Sequence, residues 1–177
     1  MADAQTFAAT GAEMPDGRRL ERLRADHAAA LLAFELENRE YFAASVPDRG
    51  DEYFASFDAL LAARLAEQAT GVCQFHVVVE GDGEIVGRVN LVDLENGWAE
   101  LGYRIAKKAG GRGLATAAVH EICALAATQY GLTSLRAATT LGNSASQAVL
   151  AGTGFVPAGE VMLSGQPGIA YTRHLTA

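Results

Sequence analysis

The chain has 177 residues, 14 of them basic and 21 acidic, for a formal net charge of −7 and an isoelectric point near 5.0. That length fits one domain, and a composition that is 50% hydrophobic and 20% charged excludes disorder as the main state, although 35 alanines supply much of the apolar fraction. The longest apolar runs, such as 28–34, are too short to cross a bilayer, and the acidic balance argues against nonspecific nucleic-acid binding.

Residues 1–17 are small, polar and alanine-rich, lack the basic and apolar segments of a secretory leader, and read as a loose N-terminal tail before a domain over 18–177. Residues 18–23 fit a short strand. Asp26 is a candidate N-cap for a helix to about Tyr41, followed by a break at Pro47, Asp48 and Gly50. Phe54, Phe57, Leu61 and Leu65 then recur at helical spacing. From 73 to 106 the pattern changes to an antiparallel meander of three strands, turning at 81–83 and at Asn96-Gly97. A helix over 113–130, a strand over 135–140 and a short helix over 144–152 follow, the last opened by a Ser144/Gln147 capping box. Two extended segments, 161–164 and 169–175, close the chain. The order implies a mixed α/β or α+β single domain. In it the strand over 98–106 is a parallel neighbour of the strand over 135–140. Cys73 and Cys123 form no CxxC pair and argue for neither a disulfide framework nor a metal site, and the four histidines show no ligand spacing. These features together lead us to expect a soluble, cytoplasmic protein without a metal.

The stretch that carries chemistry runs from Arg104 to Thr116. Gly110, Gly111 and Gly113 lie between a strand and a helix start, where unpaired N–H groups and the positive end of the helix dipole can receive a pyrophosphate. The only two lysines, Lys107 and Lys108, lie here with Arg104 and Arg112, a local positive cluster in an acidic chain. The P-loop pattern fails because no Lys-Ser or Lys-Thr follows the glycines. The dinucleotide pattern fails because Thr116 stands where a third glycine belongs.

The runs Ala99-Glu-Leu-Gly-Tyr103, Gly110-Gly-Arg-Gly-Leu-Ala115 and Asn143 to Phe155 resemble the GNAT N-acetyltransferases. Within them they resemble the RimJ/RimL branch, which acetylates N-terminal amines of ribosomal proteins. The segments 38–42 and 47–54 are similar to the same branch. The resemblance implies a single domain with a mixed, centrally splayed β-sheet flanked by helices, and acetyl-CoA as cosubstrate. It implies pyrophosphate contacts with Gly111, Arg112, Gly113, Leu114, Ala115 and Thr116, and pantetheine running beside Tyr103, Arg104 and Ile105 like an added strand. Gly110 departs from the family motif, which has Gln or Arg there, and Lys108 or Arg112 is expected to supply the phosphate contact instead.

The same resemblance makes Glu100 the candidate base and Ser146 the candidate group at the thiol, with Asn143 beside the pantetheine. Leu150 occupies a position where many relatives carry a proton-donating Tyr, which excludes that donor here. Read from the residues alone, Glu100 is equally a salt-bridge partner for Arg104, and Asn143 and Ser146 are residues favoured at a helix start. The acidic loop with Asp48, Asp51 and Glu52 can attract a cation or simply be solvated. The expected reaction is acetyl transfer to a primary amine by direct attack in a ternary complex, the acceptor preferably a protein N-terminus. A small-molecule amine such as an antibiotic, polyamine or aminoacyl derivative is the alternative. Gly110 and Leu150 also motivate a non-catalytic acyl-CoA-binding or sensing module. The resemblance allows a homodimer.

Overall fold

A computed structural model describes residues 11–176. Its centre is strand β3, Gln74–Val79, a run of six buried residues rich in valine. A strand covered on both faces needs no polar alternation, and this one sits inside an eight-stranded sheet of order β1-β2-β3-β4-β5-β6-β8-β7. The strands are β1 (Gly11–Glu13), β2 (Arg19–Arg22), β4 (Ile85–Glu95), β5 (Trp98–Ile105), β6 (Ser134–Thr140), β7 (Val156–Leu163) and β8 (Gln166–His174). Only β5 and β6 run parallel; the other neighbours are antiparallel. Asn96 and Gly97 both take positive φ, 50° and 82°, as a tight hairpin between β4 and β5 requires.

The central splay is visible in the register. β5 pairs with β6 only from Trp98 to Glu100, whereas its other edge stays paired with β4 as far as Ile105. Beyond Glu100 the two strands part, because β6 follows β8 from Ser134 to Thr140 instead. The edge of β5 that faces β6 is therefore left without a strand partner past Glu100. The crossover between β5 and β6 is helix α5, Leu114–Thr128, whose Ala118, Val119, Ile122 and Ala126 are fully buried.

Several expectations change in detail. The loose tail expected over 1–17 fails for 11–17: Gly11–Glu13 pair with β2 and Met14 is buried, its N–H bonded to the Arg18 carbonyl at 2.8 Å. Residues 1–10 lie outside the described residues. Asp26 does not cap a helix; it sits in a 3-10 turn, where the Arg24 N–H donates to His27 Nδ1 at 2.9 Å.

The first long helix is two, α1 (Ala28–Glu37) and α2 (Arg39–Ala43), and the second is α3 (Asp51–Ala55) and α4 (Phe57–Ala69). The first break falls at Asn38, whose amide donates to the Phe34 carbonyl and whose Oδ1 accepts from the Lys107 N–H, each at 2.9 Å. A buried side chain thus exchanges helix continuity for a tether to the turn after β5. The capping box at α6 (Ser144–Gly152) is absent. Asn143 is the cap, accepting from the Ser146 N–H at 3.1 Å, while Gln147 donates to the carbonyls of Thr140 and Leu141. β7 begins earlier than expected, because Pro157 and Gly159 are absorbed by a bulge on an edge strand.

Candidate functional site

Successive side chains of β5 point to opposite faces of the sheet, and the site uses both. The Tyr103 hydroxyl meets Ser146 Oγ on α6 at 2.9 Å, and the Arg104 guanidinium meets Glu35 on α1 at 3.2 Å. Helices α1 and α6 therefore lie on opposite sides of β5, and the splay opens between them.

Two adjoining cavities occupy the splay. The larger, about 930 Å³, is bounded by Leu101, by 137–146 of β6 and α6, and by the hairpin of β7 and β8. The other, about 610 Å³, runs from the glycine turn past Tyr103 and Arg104 to Phe42 and Arg49. They share Gly102, Tyr103, Asn143 and Ser146.

The glycine turn is built for backbone donation. Gly113 takes φ 76° and ψ 8° at the N-cap of α5, with no side chain capping the helix. Its first residues, Leu114, Ala115 and Thr116, border the smaller cavity. An added Cβ at Gly111 or Gly113 would meet no protein atom, so within the chain these glycines serve positive φ rather than close packing. Gly110 takes an ordinary extended conformation. An uncapped 15-residue helix opening onto a cavity fits an anionic pyrophosphate, and the unpaired edge of β5 fits an extended pantetheine arm.

The structure brings together most of the residues singled out in the sequence. Tyr103, Arg104 and Ile105, the glycines and 114–116 border the smaller cavity, and Asn143 and Ser146 border both. Three do not join them. Lys108 forms ion pairs with Glu84 and Glu37 on the surface, and Arg112 is exposed outside both cavities. Glu100 borders neither cavity. It stands at the last paired position before the splay, opposite Arg136, and makes no ion pair among the described residues. Its expected partner Arg104 is taken by Glu35.

Leu150 is buried in the core, and the hydroxyls that meet in the splay are those of Tyr103 and Ser146. Burial pushes the Tyr103 phenol above its ordinary value of 10.0, against the smaller opposing effect of the Ser146 hydrogen bond. The hydroxyl therefore keeps its proton at neutral pH. Sequence reasoning placed both residues near the cofactor but did not join them, since the 43-residue separation hides the contact.

Sequence reasoning missed Glu35 entirely. This carboxylate is 1% exposed and is met by Arg88 at 2.6 Å, Arg104 at 3.2 Å and Arg49 at 3.3 Å. Burial alone would raise its pKa, but the three guanidiniums outweigh burial and hold it below the ordinary glutamate value. A charged residue on the buried side of α1 was the available signal. The acidic loop, by contrast, is already engaged: Asp48 and Asp51 each pair with Arg39 at 2.8 Å.

Among the described residues, Glu80, Asp82 and Glu84 form one set of carboxylates close enough to share a cation; it lies on the surface, outside both cavities. No helix among the described residues is long and apolar enough to cross a membrane.

Comparison with known proteins agrees with this geometry. Residues 18–156 match the family described as acetyltransferase (GNAT) domain. A 64-residue stretch, 35% of this chain, is 36% identical to the uncharacterized N-acetyltransferase p20 of Bacillus licheniformis, of which it spans 33%. The chain thus matches about a third of the length of that curated relative. Among solved structures it is similar to the ribosomal-protein-S5-alanine acetyltransferase of Vibrio fischeri, with a TM-score of 0.88 at 20% identity over 94% of this chain and 97% of that one. It is also similar to RimJ of Mycobacterium smegmatis in complex with CoA-disulfide, with a TM-score of 0.82 at 24% identity over 94% and 86%.

Proposed function

The chain belongs to the acetyltransferase (GNAT) domain family, and from that membership we propose that it transfers an acetyl group from acetyl-CoA to a primary amine, preferably a protein N-terminal α-amine. The observation that carries the reading is the meeting, in one splay, of an uncapped glycine-led helix, an unpaired edge of β5 and the Tyr103–Ser146 hydroxyl pair. A RimJ/RimL-like role and a cytoplasmic setting belong to the same proposal. The first goes with the Asn143 and Ser146 placement. The second goes with two free, buried cysteines.

In this reading the N–H groups of Leu114 to Thr116 hold the pyrophosphate, and β5 beyond Glu100 pairs with the pantetheine. The acceptor enters over Gly102, whose missing side chain leaves the floor open. An α-amine, with an ordinary pKa near 8, loses its proton far more readily than a lysine near 10.4. Glu100, set back from the cavities, takes that proton through water. The nitrogen then bonds to the acetyl carbon as the carbon–sulfur bond breaks. The departing thiolate receives a proton from Ser146 Oγ, which takes one from Tyr103, and the second proton that the nitrogen sheds on becoming an amide returns through water to the Tyr103 oxygen, so that one proton in all leaves by Glu100. Asn143 fixes the first turn of α6 and so the aim of Ser146. The chemistry needs no metal.

The test mixes the chain with acetyl-CoA and a panel of peptides with free N-termini, Nα-blocked lysine peptides and polyamines, and follows thiol release and the mass of each acceptor. Faster thiol release and a one-acetyl mass gain on free N-termini are expected. Preference for polyamines would move the acceptor to small molecules. CoA binding without transfer to any amine would make the chain a binding module instead.

A further inference from the structure

The acceptor side of the smaller cavity carries a surplus of positive charge that the cofactor side does not explain. Arg49 and Arg104 both border it, while Arg88 lies just beneath. Their shared counter-ion, Glu35, has one oxygen engaged by Arg88 at 2.6 Å and the other by Arg104 at 3.2 Å, so Arg49 at 3.3 and 3.4 Å is a third cation on a carboxylate already served. Side-chain exposure rises in the same order, 10% for Arg88, 21% for Arg104 and 30% for Arg49, so the charge least needed by Glu35 is the most open to a ligand.

Three guanidiniums on one carboxylate leave two positive charges over. Burial, and next to it the neighbouring Arg49, press the Arg104 guanidinium below its ordinary value, as expected where like charges crowd. The nearest acidic loop does not cancel them, because Asp48 and Asp51 are held by Arg39. Arg104 and Arg49 are also fixed against rings, at 4.6 Å from the centroid of Phe42 and 4.7 Å from that of Tyr53. Guanidiniums held this way lose little freedom when they bind.

A second feature lies beside them. Asn90 faces Gly102 across the β4–β5 pair and so stands diagonally from Arg104 on the same face of the sheet. It borders the cavity, and its Oδ1 is buried without a hydrogen-bond partner among the described residues. An orphaned acceptor of this kind suits an incoming N–H donor. The open floor at Gly102 thus has on one side an amide whose buried, unpartnered oxygen must turn to meet an amine, and on the other guanidiniums for an anion.

We propose that the acceptor is an amine that also carries a carboxylate, its nitrogen received at Asn90 above Gly102 and its anion by Arg49 and Arg104. This rests on the acetyltransferase reading and narrows it: in an extended peptide the anion is the side chain of the first or second residue, and a free acidic amino acid presents the same pair of groups. It sets aside the alternative in which the loop at Asp48 draws in a cation, since Asp48 and Asp51 are held by Arg39.

The experiment compares transfer to three peptide amides that differ only at the second residue, Ala-Glu, Ala-Gln and Ala-Lys, with free glutamate as the small-molecule arm. Expected is a preference for Ala-Glu over Ala-Gln of about tenfold or more in kcat/KM, the size of one charge-assisted hydrogen bond, with Ala-Lys slowest. Glutarate, which has the charges and no amine, should compete with the acceptor in the unaltered chain, a reading that needs no variant to fold. Arg49→Gln should reduce the Glu/Gln preference through KM, Arg49→Lys should keep part of it, and Arg64→Gln, a distant surface change on α4, should leave it as it was. Faster transfer to glutamate than to the peptides would assign the site to small acids. Equal or faster transfer to Ala-Gln and Ala-Lys would overturn the inference and leave the acetyltransferase reading standing. So would an Arg49→Gln variant that weakens CoA as much as Ala-Glu, for the arginines would then serve CoA. Transfer to no amine at all would overturn both.

Discussion

The smaller cavity has two walls built by different means. The wall from Gly110 to Thr116 acts through its backbone: a left-handed Gly113, an uncapped helix start and N–H groups that need no side chain. The wall from α1 to α3 acts through side chains drawn from Glu35, Arg49, Arg88 and Arg104, which meet only because β4, β5 and α1 pack together. A backbone wall keeps its donors whatever the side chains and, beside the unpaired edge of β5 that fits a pantetheine arm, suits a cosubstrate common to a whole family. A side-chain wall can be rewritten residue by residue, and in the proposed reading it is where acceptor choice resides.

That contrast can be broken first at Glu35. Replacing it with Gln leaves three guanidiniums around a buried site without their counter-ion, and a loss of about 3–5 kcal/mol is expected in urea unfolding. The pH dependence has a definite sign. The folded carboxyl is held below its ordinary value of 4.5, so its contribution is complete above that pH and declines as pH falls below it. Glu35→Gln should lose that part of the acid sensitivity, visible as a flatter stability profile below about pH 4.5.

Ser146→Ala should lower kcat by about a hundredfold with little change in the KM for acetyl-CoA, since it removes the donor and leaves the helix start in place. Tyr103→Phe should lower kcat less, because Ser146 can still exchange its proton with water. Gly113→Ala tests the other wall. Its Cβ meets no atom, so the cost is the left-handed conformation alone, about 1 kcal/mol, together with roughly tenfold weaker CoA binding as the first N–H groups turn. The smallest effect is expected at Lys108→Ala. An exposed lysine already held by Glu84 and Glu37 should leave CoA affinity within about twofold of its starting value, as calorimetric titration would show.

The same contrast sets what could be read from the sequence. Gly113, Asn96-Gly97 and the strand-turn-helix around 104–116 are local signals, and the structure follows them closely. The splay was expected only from resemblance, because it depends on β6 leaving β5 for β8, a choice among strands distant in the chain. The breaks at Asn38 and Ser56 were hidden inside apolar periodicity, and the first depends on a hydrogen bond to Lys107 across 69 residues. The partners of Glu35 were illegible for the same reason: a carboxylate on the buried side of α1 signals a need for counter-charge but does not point to three arginines 14, 53 and 69 residues away. Charge was the misleading guide. Lys108 was expected at the phosphate, the loop at Asp48 was left open to a cation or to solvent, and each is paired with a neighbour instead.

The most direct test of the central claim is thermal unfolding in parallel with acetyl-CoA, CoA, ATP and NAD, because a ligand that binds only the folded chain stabilises it by an amount set by its concentration and affinity. Stabilisation by both CoA species, about 2.7 kcal/mol at a hundred times their Kd, with little from ATP or NAD and a smaller response in Gly113→Ala, is the predicted result. No response to millimolar CoA, or an equal response to ATP and NAD, would contradict it and return the glycine turn to a simple strand-to-helix connection.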